Sequence, residues 1–291
     1  MARDAHDELL PSPRLRHPSL QRVKWRKNIT KPLKRQILNL KELQQYFIDR
    51  VEATSGKHVL LQSDPKFTGH ATIRVAKDNQ PAHVLLYKPA HEAVLPYLVA
   101  FQCEFALRTI LAEPESQFNL ISKPNMLDEF AKLMRNHLKN DPTIPAAAVP
   151  QFSKLFSDGL GHQLRSMPVS MRIDRKLHDK FPELRDLQRK SIDAQLQENV
   201  HCLGPYAKQS APDAIIRPNA MMNAAFARFF ANLWDEQPIF VPYVAAGYAL
   251  DAIQLLQIHD SIPNEPENDR QLVDAWAAYT GLDKWFTTEK R

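Results

Sequence analysis

The chain has 291 residues, 44% of them hydrophobic and 24% charged, with a formal net charge of +5 and only two cysteines. That is enough apolar material for a large packed domain, and two cysteines exclude a disulfide framework. Seven glycines and 22 prolines disfavour glycine-rich phosphate-cradling loops, and the one GxG, Gly159-Leu160-Gly161, continues into neither a Rossmann fingerprint nor a P-loop.

Residues 1–38 form the first segment. Residues 1–35 hold ten Lys/Arg against three Asp/Glu, so the rest of the chain is slightly acidic and the basic character is local. With four prolines and little to bury, the segment reads as an extended arm. Arg22, Lys24, Trp25, Arg26, Lys27, Lys34 and Arg35 suit phosphate contacts and base stacking, which would make nucleic acid a partner. The alternative is a solvated tail, or a strap over an acidic face such as 260–269 (DSIPNEPEND).

Residues 39–291 read as a single α+β domain, mostly α. Leu40, Leu43, Tyr46, Phe47 and Val51 have helical spacing, with Gly56 as the stop. Three strand-like runs follow at 58–62, 70–76 and 83–87, separated by turn residues, and predict a small antiparallel sheet near the N-terminus. The sheet feeds a helix over 94–111 that is apolar almost all round and should be the long buried central helix. Glu104 and Arg108 stand at i, i+4, the spacing of a helical ion pair. The run is too interrupted for a membrane span, so no membrane association is expected. Beyond Pro114 the pattern predicts a helical array at 126–138, 149–157, 172–179, 183–198, 220–234, 243–257 and 270–279, with Gly159 and Gly161 as a helix end or turn. The aromatic and Met side chains of its C-terminal part mark packed faces. Cys103 in the apolar helix and the absence of a CxxC pair or apolar leader make a reducing, cytoplasmic setting the expectation.

The order helix, small sheet, Tyr87-Lys88-Pro89, then a buried helix with Cys103 ending in Ala106-Leu107-Arg108 resembles the zincin-like metallopeptidases of the ImmA/IrrE type. The resemblance covers about residues 40–112. It implies that the helix stands where that family carries HExxH, with Phe101 and Phe105 at the two histidine positions and Gln102 at the general-base glutamate. Asp174 would stand at the third-ligand position. Phe offers no lone pair to a metal and Gln cannot take a proton from zinc-bound water, so the resemblance implies a scaffold without peptidase chemistry, without a cofactor, acting on a protein partner. The same helix also reads simply as a core helix with Phe at i, i+4. A second reading assembles a zinc site for a metal-dependent hydrolase from His83, His91 and Glu92, although Leu95 stands where an HExxH motif starting at His91 needs its second His.

Overall fold

The structure, a computed structural model, describes residues 39–139 and 145–291; the basic arm lies outside the described residues. Helix α1 (Leu40–Ser55) begins at a capping box, in which the Asn39 side chain accepts from the Lys41 and Glu42 amides while Glu42 reaches back to the Asn39 N–H. It stops at Gly56, whose φ of 70° is the left-handed cap glycine tolerates best.

Strands β1 (His58–Ser63), β2 (Ala71–Arg74) and β3 (Ala82–Tyr87) make a sheet in the order β1-β3-β2. β2 and β3 are antiparallel, but β1 and β3 are parallel, running from His58↔Ala82 to Ser63↔Tyr87. The sheet is therefore mixed, and the expected all-antiparallel arrangement is corrected. The cause is burial: β3 hides His83, Leu85 and Leu86, whereas β1 hides only Val59, so β3 takes the centre and β1 and β2 become edges. The turn residues between β1 and β2 then belong to a crossover rather than a hairpin.

A 3-10 turn (Pro89–Val94) leads into α2 (Leu95–Leu111), with Pro96 in the first turn where no N–H is missed. Tyr97, Leu98, Val99, Ala100, Cys103, Glu104, Ala106 and Leu107 are buried, as the all-round apolar pattern requires. Pro89–Leu111 is long and apolar enough to cross a membrane by length and composition; half of its most apolar window is buried within the fold.

The chain is not wholly helical after Pro114. β4 (Phe118–Ser122) pairs antiparallel with β5 (Phe286–Lys290), Phe118 opposite Lys290 and Ser122 opposite Phe286. Between them lie α3 (Met126–His137), α4 (Val149–Lys180), α5 (Arg185–Val200), α6 (Pro205–Ser210), α7 (Asp213–Leu233), α8 (Val241–Ala245), α9 (Ala249–Ser261) and α10 (Asp269–Thr280). The expected helices at 149–157 and 172–179 are one 32-residue helix that runs through Gly159, Gly161 and Pro168. Leu160, Leu164, Met167, Met171 and Leu177 are buried along it, and that packing outweighs the local breakers. In the C-terminal array Phe226, Phe230, Trp276 and Trp285 are all buried in the core, joined there by residues of α1, α2 and α4.

Candidate functional site

Helix α2 touches the sheet, α1, α4 and α10, and Tyr97, Gln102, Glu104 and Arg108 each reach a different partner. Gln102 faces β2. Its Nε2 donates to the Ala71 carbonyl at 3.0 Å and its Oε1 accepts from the Ile73 N–H at 3.1 Å. Since residues 70, 72 and 74 turn their backbone groups to β3, Ala71 and Ile73 present theirs at the free edge of β2, and one amide closes that edge as a neighbouring strand would. Phe101 and Phe105 are half-buried against the core; Phe101 packs on Tyr97, with ring centroids 6.1 Å apart, and Phe105 lies 5.3 Å beneath the Arg165 guanidinium.

Asp174, on α4, meets α2 at Tyr97, one turn before Phe101. Its Oδ1 accepts from the Tyr97 hydroxyl at 2.7 Å and from Gln188 Nε2 at 2.9 Å, all three residues being buried. Burial raises its carboxyl to about 7, against the pull of the two hydrogen bonds. Tyr97 is pushed well up by burial and by that same carboxylate. The arrangement is closed: Gln188 Oε1 is buried there without a partner.

Glu104 and Arg108 do not pair with each other. Glu104 is buried and bridges Arg50 of α1 and Lys176 of α4, the latter at 2.6 Å. Arg108 grips Asp269, the first residue of α10, through two bonds of 2.7 and 2.6 Å, and Asn264 at 2.9 Å; Arg172 of α4 reaches the same Asp269 at 3.3 Å. Two acidic-loop residues, Asn264 and Asp269, are thus spent on α2 and α4.

The predicted histidine set is not brought together. His83 is buried on β3; its Nδ1 accepts from the Ala76 N–H at 3.0 Å, which puts the proton on Nε2, 2.9 Å from Ser55 Oγ. Burial lowers its pKa, so this is a neutral, fully engaged imidazole. His91 instead stacks on His70 at 4.0 Å, and His70 Nε2 lies 3.8 Å from Glu198 of α5. Burial first, then His70 and Lys88, lower the His91 pKa. Glu92 is exposed. Among the described residues no three His, Cys, Asp or Glu side chains form a group that could hold a metal ion. The Cys103 thiol, pushed up to about 12 mainly by burial, is a poor nucleophile, and burial raises Cys202 as well.

Sequence reading missed the polar seam between α2 and α4, because Tyr97–Asp174 and Glu104–Lys176 join residues more than 70 positions apart. The only local signal was the presence of Glu104 and Arg108 in an otherwise apolar helix, a pattern that calls for partners. Comparison of the chain with family models, with curated proteins and with solved structures finds no match.

Proposed function

We propose that this protein is a non-catalytic, zincin-like scaffold that acts by binding a partner. The observation that supports the reading is the use of Gln102. The side chain at the position of the family's general base spends its donor and its acceptor on the backbone of β2. Phe101 and Phe105 beside it pack instead of ligating, and Asp174 is tied up inside the core. On this reading the helix organises a binding surface.

Elemental analysis of the purified full chain, with His91→Ala as control, tests it. The expected result is no stoichiometric zinc in either protein. One zinc per chain, lost in the His91 variant, would overturn the scaffold reading in favour of a metal-dependent hydrolase. Gln102→Glu adds a second readout. A carboxylate cannot donate to the Ala71 carbonyl, so the variant should lose about 1–3 kcal/mol of stability in urea unfolding and gain no peptide hydrolysis. Hydrolysis appearing in Gln102→Glu would contradict the proposal.

A further inference from the structure

We propose that the cleft between α4, β4 and β5 binds a small phosphate-class oxyanion, with Arg165 as its cation. The cleft has a volume of about 280 Å³ and is lined by Ser122, Asp158, His162, Arg165 and Phe286 among others. Like Arg228, which lies over the Phe240 ring, Arg165 has no carboxylate partner among the described residues. Arg50, Arg108 and Arg172 each hold a carboxylate, whereas Arg165 makes no hydrogen bond or ion pair with any described residue. Its guanidinium instead lies over the rings of Phe118, at 4.2 Å, and Phe105, at 5.3 Å. Those ring contacts hold the guanidinium by cation–π attraction, and its N–H donors, which no described residue uses, remain for an oxyanion.

The charges around Arg165 are of both signs. Burial lowers the Arg165 pKa to about 10; the field of Asp269 opposes that change and the field of Arg291 adds to it. The carboxylate in the cleft lining, Asp158, is paired with Lys154 at 2.6 Å. Two further groups in the lining, the Ser122 hydroxyl and the His162 ring, have no partner among the described residues; burial and then Arg165 lower the His162 pKa, which favours the neutral ring with one N–H to donate. A guanidinium and an imidazole from α4 with a hydroxyl from β4 offer three kinds of donor, which suits a tetrahedral oxyanion better than a planar carboxylate. The volume lies just below the range of about 300–1,000 Å³ usual for ligand pockets, which favours phosphate or a small phosphomonoester over a nucleotide. Gly161 helps shape the cleft: a Cβ there would come within 2.9 Å of the Phe286 ring.

The proposal does not depend on the zincin-like reading, and either can fail alone. The test is calorimetric titration of the full chain with inorganic phosphate, against sodium chloride at matched ionic strength, and separately with glycerol phosphate. Saturable binding of either phosphate, weakened about tenfold or more in Arg165→Gln, is expected. Preference for the free ion or for the ester then identifies the source. No saturable binding of either, or affinity unchanged in Arg165→Gln, overturns the site. Should Arg165→Gln fail to fold, Ser122→Ala decides, because that hydroxyl holds nothing in the fold: several-fold weaker binding upholds the site and unchanged affinity overturns it.

Discussion

A carboxyl group sealed inside a core must stay neutral or be paid for in stability, and Asp174 shows which. With its native pKa raised by burial to about 7 and an unfolded value of about 3.9, the folded chain holds a proton that the unfolded chain releases between those limits. Its contribution is therefore most favourable below about pH 4 and is lost as the pH rises toward 7. Asp174→Asn cannot ionise, yet its amide oxygen can still accept from Tyr97. The variant should be more stable than the native chain at pH 8 and lose that advantage at pH 4.5, as judged by urea midpoints at both values. Equal midpoint differences at the two pH values would show that Asp174 is charged throughout. Nothing local in the sequence links Tyr97 to Asp174, 77 positions away.

At the scale of elements, α4 shows how far packing overrides local punctuation. Its two glycines look equivalent in sequence but not in space. A Cβ at Gly159 meets nothing within 4 Å, whereas one at Gly161 collides with the buried Phe286 ring of β5. Gly159→Ala should thus stabilise by roughly 0.5–1 kcal/mol through helix propensity and reduced freedom of the unfolded chain. Gly161→Ala should forfeit that gain to the displacement of Phe286 and melt below Gly159→Ala, which differential scanning calorimetry can resolve. Identical melting temperatures would mean that Phe286 yields freely. What could be read from sequence followed the same division between local and distant. The α1 stop at Gly56 and the course of α2 were legible because caps and apolar periodicity act over a few residues. β4 and β5 were not, since their pairing joins positions 118–122 to 286–290 and neither run is apolar enough to declare itself. The Arg165 cleft inherits that illegibility, because it exists only once β4 and β5 close beside α4.

For the molecule as a whole, the Arg108–Asp269–Arg172 cluster is where the helix beside the sheet meets the later helices. Arg108 lies in the last turn of α2 and Asp269 opens α10, so each charge also complements the dipole of its own helix. Arg172 comes from the middle of α4 and is buried; besides Asp269 it donates to the Ile262 carbonyl at 2.6 Å and the His259 carbonyl at 3.3 Å. Burial draws the Arg172 pKa down while Asp269, with a lesser pull from Asp260, draws it up, so Asp269 is the main carboxylate sustaining that buried cation. The three residues are therefore unequal. Losing Arg108 leaves Asp269 with Arg172, and losing Arg172 leaves Asp269 with its two bonds to Arg108, but losing Asp269 leaves two cations facing each other, one of them buried. Asp269→Asn should cost about 3–5 kcal/mol, more than Arg108→Met or Arg172→Met alone. Combining Asp269→Asn with Arg172→Met should recover part of that loss, a favourable coupling of about 0.5–3 kcal/mol in a double-mutant cycle. Urea unfolding of the three single variants and the double variant measures all of this. If Asp269→Asn proved the mildest change, or the cycle closed without coupling, the helices would be held together by their apolar faces alone and the charges would be passengers at the joint.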